Sequence, residues 1–190
     1  MEEELLDIYD INGKSLGKVL NREACHAEDA GVFHKAVHVI IVNPTTKEVL
    51  LSRHSPQKRR GANLWNIPAA GHVAVGEKLA DTCEREVMEE IGLSIQANKF
   101  SLKVELLNAP RWEFREIFLA ETAALDISNA VLDPKEIGEL KWIPYRDFEE
   151  LLYSAEFVPH DEDYKDIIFD IITGSLCTSK ESVEDEREID

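Results

Sequence analysis

Between Gly71 and Leu93 the chain encodes a helix with acids set into the edge of its apolar stripe, and few environments can hold such an element. Residues 77–91 contain neither glycine nor proline, and Gly92 follows as a left-handed cap with Leu93 folding back. With Leu79 at 0° and about 100° per residue, Leu79, Cys83, Val87, Ala80 and Ile91 span roughly 0° to 120° and define the buried face. Glu86, Glu90 and Glu89 fall at about 340°, 20° and 280°, so Glu90 projects between Leu79 and Cys83. A solvated face would set Glu against Lys one turn away. Here three carboxylates face one another, and partly burying such a patch raises its cost. A hard divalent cation removes the conflict. Mg²⁺ or Mn²⁺ takes oxygen ligands, keeps waters and accepts further ligands from phosphates.

The rest of the chain supplies a sheet for this helix. Leu5–Tyr9 reads as a strand, turns at Asn12-Gly13 and resumes near Gly17–Leu20. Arg22–Glu28 reads as a short helical piece. Ala36–Val42 is an apolar β-branched run whose hairpin partner is Glu48–Arg53, and a shorter strand covers Trp65–Ala70. Further strands fall at Ser101–Leu107, Glu113–Ala120 and Gly138–Ile143, with amphipathic helices at Asp147–Ala155 and Tyr164–Ile172. Strands with helices inserted give an α/β or α+β chain with a mixed sheet. At 190 residues the expected organisation is one domain over 1–175, followed by an acidic disordered tail over 176–190.

Charge and cysteine usage bound the partners. The net charge of −17 repels nucleic acid and anionic membranes, so neither is an expected partner. No apolar run approaches the roughly eighteen residues needed to cross a bilayer. The start Met-Glu-Glu-Glu is unlike a signal peptide. Cys25, Cys83 and Cys177 are odd in number and far apart, which suits a reducing cytosol better than a disulfide framework.

Gly71, Glu77, Arg85, Glu86, Val87, Glu89, Glu90, Gly92 and Leu93 fall at the nine defined positions of the Nudix box. A chance match anywhere in the chain is below about one in a million. The chain therefore resembles the Nudix hydrolases, and the resemblance implies an α/β/α sandwich. It also implies that Glu86, Glu89 and Glu90 bind the metal, that Arg85 braces the helix by pairing with Glu77, and that Gly71 offers its carbonyl to the ion. The reaction implied is water attack on a diphosphate, with metal ions polarising the phosphorus and Glu90 or Glu89 taking the proton.

Residues 6–17, His34–His38 and Ala69–His72 further resemble the branch related to isopentenyl-diphosphate isomerase. The isomerases carry a catalytic cysteine where this chain has Ala70, and a methyl group cannot transfer a proton. They bind a second metal through histidines and acids. His26, His34, His72 and Glu113 stand near the matching places, while one acid of that set is Arg111 here. The basic island Arg53, Lys58, Arg59 and Arg60 is unusual in so acidic a chain. By the same resemblance, Arg53 and Lys58 are candidates for contact with the diphosphate. His72 and Glu113 are additional candidates for substrate or metal contact, and Trp65 and Trp112 for lining the organic pocket. The function expected is Mg²⁺-dependent hydrolysis of a small organic or nucleoside diphosphate. The alternatives are an isomerase or a non-catalytic binding module. Oligomeric state is open.

Overall fold

A computed structural model describes residues 4–27 and 30–177 of the chain. Its organising element is β3 (His34–Asn43), an apolar run buried along most of its length because both faces are covered. β3 pairs in parallel with β8 (Glu113–Glu121), in register from His34 opposite Glu113 to Val42 opposite Glu121. On its other edge it meets β4 (Glu48–His54) only beside the hairpin turn, at Val42 and Asn43. The remainder of that edge is taken by β6 (Ala69–His72), with Ala36 opposite His72 and Val39 opposite Ala69. β7 (Phe100–Asn108) flanks β8, while β5 (Trp65–Asn66) and β9 (Ile137–Pro144) flank β4, completing a seven-stranded mixed sheet. β1 (Leu5–Tyr9) and β2 (Ser15–Asn21) form a separate hairpin bridged to the rest at Leu6–Ala74 and Tyr9–Phe33.

Strand alternation sends Val37, Val39 and Ile41 to one face. There they pack with Cys83, Val87 and Ile91 of α2 (Leu79–Ile91). Ile40 and Val42 point the other way, and with Ile117 and Leu119 they pack under α3 (Tyr145–Leu152) and α4 (Glu162–Cys177). The expected α/β/α sandwich is what forms. The apolar cover on the second face ends near His38, whose Nδ1 lies 2.7 Å from the hydroxyl of Tyr164 in the first turn of α4. Toward the start of β3 the same face carries His34 and Ala36 in place of large aliphatics, and this is where the sheet opens into a cavity.

Three boundaries differ from the sequence reading. The strand expected over Trp65–Ala70 is two strands, because Pro68 has no N–H for a ladder and the chain changes partner from β4 to β3. The short helical piece expected over Arg22–Glu28 is α1 (Arg22–Cys25). The helix expected from Glu77 starts at Leu79, since Glu77 is drawn into a turn in which its amide donates to the Ala74 carbonyl at 3.0 Å. α4 runs through Cys177 with Leu176 buried. The acidic tail expected beyond it lies outside the described residues from 178 onward. No helix among the described residues is long and apolar enough to cross a membrane.

Candidate functional site

The loop after β6 and the turn of α2 that faces it are locked together by one arginine. Arg85 donates from Nε and Nη2 to the two carboxylate oxygens of Glu77, both at 2.9 Å, and from Nη2 to the His72 carbonyl at 2.9 Å. Its Nη1 reaches Glu86 at 2.6 Å and Glu89 at 3.2 Å. The guanidinium therefore fixes the loop through Glu77 and gathers two of the patch carboxylates. The hydrogen bond from Arg85 holds the Glu77 carboxyl below its usual range, and that same pair leads the causes that raise Arg85.

Gly71 is required by a close approach. A Cβ at that position would lie 2.0 Å from the Glu86 carboxylate, so the bare α-carbon is what lets the acid of α2 sit against β6. Glu86 is 8% exposed, and burial pushes its carboxyl upward against the pull of Arg85. Glu90 lies further round the helix, as the wheel placed it. Burial, then the charge of Glu86, raises its carboxyl to about 8, with Lys58 and the Ala70 backbone opposing. Glu89 is the open member of the set, its side chain 59% exposed. All three acids, with Ala70, Gly71, His72 and Glu113, line a cavity of about 530 Å³.

Behind His72, which lines the cavity, a cluster of imidazoles gathers. β3 contributes His34, β6 contributes His72 and the turn after α1 contributes His26. Their available nitrogens all lie within 4.8 Å of one another. His26 Nε2 and His72 Nε2 are 3.1 Å apart, and His72 Nδ1 is 3.1 Å from Glu4. Both ring nitrogens of His34 are buried without a hydrogen-bond partner, and its Nε2 stands 3.7 Å from the Glu113 carboxylate. Burial pushes His34 down to about 4, so at neutral pH the ring carries a free lone pair. An orphaned buried imidazole is costly, and a metal ion is one partner that would satisfy it. Against the opposing effect of burial, Arg115, whose Nε donates to it at 3.0 Å, holds the Glu113 carboxyl below its usual range.

The structure thus brings Glu86, Glu89, Glu90, Gly71, Arg85, His72 and Glu113 to one cavity, with Glu77 behind them. It does not bring the basic island there. Arg53 donates to the Asn63 carbonyl at 2.9 Å and lies over the Trp65 ring. Lys58 pairs with Glu136 at 3.2 Å, and neither lines the cavity. Lys58 reaches the site only through its charge on Glu90. Trp65 belongs to the core and Trp112 packs against Phe33, so neither tryptophan lines the cavity. Sequence reasoning missed His38, which lies two residues from the cluster alternation of β3 and lines the same cavity; period-two spacing from His34 was the available signal.

A family model described as the NUDIX domain matches residues 32–163, a span that contains the whole helix-and-glycine arrangement just described. The chain belongs to the NUDIX family. It is similar to Nudix hydrolase 3 of Arabidopsis thaliana, with 28% identity over 184 residues that cover 90% of this chain and 24% of that protein. It is also 29% identical over 136 residues to an isopentenyl-diphosphate Delta-isomerase of Cereibacter sphaeroides, covering 69% of this chain and 75% of the relative. Among solved structures, DR0079 from Deinococcus radiodurans superposes with a TM-score of 0.63 at 17% identity, covering 90% of this chain and 99% of that one, which supports the fold. By family and by its intact box the chain is a Nudix pyrophosphohydrolase.

Proposed function

We propose that the chain hydrolyses the phosphoanhydride bond of a small organic or nucleoside diphosphate with Mg²⁺, or Mn²⁺ in its place, by water attack on phosphorus. The observation that carries this is the convergence of Glu86, Glu89 and Glu90 on one cavity, with Glu86 seated against the bare α-carbon of Gly71. Glu86, Glu89, Glu90 and the Gly71 carbonyl would hold the ion. When bound, it supplies charge neutralisation of the diphosphate, polarisation of the phosphorus and a more acidic water. Arg85 keeps the acids in register and holds the loop through Glu77. Of the two candidates for general base, Glu90 fits better than Glu89. It is the less exposed of the two and lies against the Ala70 backbone inside the cavity. His26, His34 and His72 with Glu113 are a second set of donors, suited to an ion that accepts nitrogen.

Isomerisation is not favoured, because Ala70 lines the cavity where a proton-transferring side chain would be needed. A binding module without catalysis would have no use for three gathered carboxylates. The free thiols of Cys25 and Cys83 and the acidic composition suit a cytosolic enzyme with small-molecule partners. Product release from nucleoside, sugar and isoprenoid diphosphates, with and without Mg²⁺, tests the reading. Metal-dependent hydrolysis of at least one is expected. Inertness toward the whole panel would overturn it, and double-bond migration in isopentenyl diphosphate would replace it with the isomerase.

A further inference from the structure

A second cavity, of about 500 Å³, opens beside the first and shares His38, Ala70 and Glu113 with it. Its lining is unusual for a chamber meant to hold hydrocarbon. The apolar part is one valine, two prolines and the shared alanine, while Asn66, Asn108, Arg111, Arg115 and His160 supply polar groups. A prenyl chain gains about 0.8 kcal/mol per CH₂ only where apolar atoms receive it, and it would strip water from these groups without replacing their hydrogen bonds.

The two arginines differ in what they have to offer. Arg115 is 7% exposed and already committed. It donates to Glu113 at 3.0 Å, lies 3.9 Å from Asp161, faces the Asn108 side chain and sits over the Tyr164 ring. Arg111 is exposed at the cavity wall and makes no ion pair among the described residues. It lines the chamber together with His38 and His160. An arginine without an ion pair among the described residues, on the wall of a cavity whose remaining cation, Arg115, is held by Glu113 and Asp161, has donors left for an anion.

We propose that this chamber receives the organic end of the substrate, and that this end carries an oxyanion, a phosphate or a carboxylate, bound by Arg111. The inference rests on the hydrolase reading above and names the substrate class for the same site. Arg111 and Glu113 are two positions apart, so their α-carbons are separated by no more than about 7 Å. The two cavities share Glu113, so the group joining the diphosphate to the second anion spans their common boundary. His160 and Asn66, themselves 3.3 Å apart, are placed to hydrogen-bond its hydroxyl groups.

Two matched pairs of probes test this. Mevalonate 5-diphosphate and 3-hydroxy-3-methylbutyl diphosphate differ by a carboxylate, and 5-phosphoribosyl 1-diphosphate and ribosyl 1-diphosphate differ by a phosphate. Binding is read by calorimetry with Ca²⁺ on the full chain, and hydrolysis separately with Mg²⁺. At least one anion-ended probe should bind about tenfold or more tightly than its neutral partner, and which pair shows the preference distinguishes carboxylate from phosphate. In Arg111→Gln that ratio should fall to about one, and Arg111→Lys should restore part of it. Equal or tighter binding of the neutral partners, no binding of either anion-ended probe, or a ratio unchanged in a folded Arg111→Gln would overturn the inference. Preferential binding without any Mg²⁺-dependent hydrolysis would support this subsite and count against the hydrolase reading instead.

Discussion

Two clusters that meet at the first cavity, the carboxylates of α2 and the imidazoles gathered behind His72, are built from opposite electrostatics. The α2 wall gathers carboxylates around a single guanidinium and is unstable in its own field until a cation arrives. The β3–β6 cluster gathers imidazoles that burial keeps neutral, and its cost is an unsatisfied polar atom rather than repulsion. The first suits a hard ion and the second an ion that accepts nitrogen.

The largest effect should come from the glycine that lets the carboxylate wall form. Gly71→Ala places a Cβ within the Glu86 carboxylate and should lower kcat about a hundredfold or more at saturating Mg²⁺, with the circular-dichroism spectrum retained. Glu86→Gln, Glu89→Gln and Glu90→Gln should each cost about tenfold or more in turnover or Mg²⁺ affinity. Wild-type rates in all three would remove the carboxylate wall from the chemistry. Next is the brace. Arg85→Ala breaks a pair that is only partly buried, so about 2 kcal/mol of stability should be lost, a fall in Tm of roughly 4–8 °C. An unchanged melting curve would make Arg85 an ordinary surface residue.

The contrast between the clusters is sharpened by pH. The folded metal-free protein binds a proton at Glu90 up to about pH 8, whereas the unfolded chain releases it near 4.3. Stability from this group is therefore full below about pH 4 and is lost as pH rises toward 8. The Tm of the metal-free protein should fall across that window. Glu90→Gln should flatten the fall and melt higher than the parent at pH 8, while Mg²⁺ should oppose it in the parent alone. Equal slopes in parent and variant would remove the buried acid as its source. In the imidazole cluster, His34→Ala and His72→Ala should weaken Mn²⁺ binding about tenfold, with a smaller change for Mg²⁺. The smallest effects belong to the basic loop. Arg53→Ala and Lys58→Ala should change KM by less than about threefold, since neither side chain lines the cavity. A large, salt-sensitive rise in KM would put the substrate beside that loop.

The carboxylate wall was legible because all of its acids lie on one helix, where 3.6 residues per turn converts spacing directly into geometry. Glu86, Glu89 and Glu90 follow from that local rule, and the left-handed Gly92, at φ 65°, from cap chemistry, whereas the brace from Arg85 to Glu77, which lies before the helix, was implied by the resemblance alone. Most of the strands were legible too, because alternation is equally local. The imidazole cluster required the register of three separate segments. His34 and His72 approach only because β6 pairs with β3 antiparallel, and His26 joins them from the turn after α1. The sequence offered those histidines as candidates by resemblance, and no spacing within it places them within 4.8 Å. The basic loop shows the converse. Arg53 and Lys58 looked suited to phosphate, yet pairing of β4 with β9 sets Glu139 and Glu136 beside them, and those acids take up their charge. Periodicity along one element is written in the chain itself. Which element lies beside which is settled by burying both faces of one sheet, and that decided the ligand set, the fate of the cations and the second chamber.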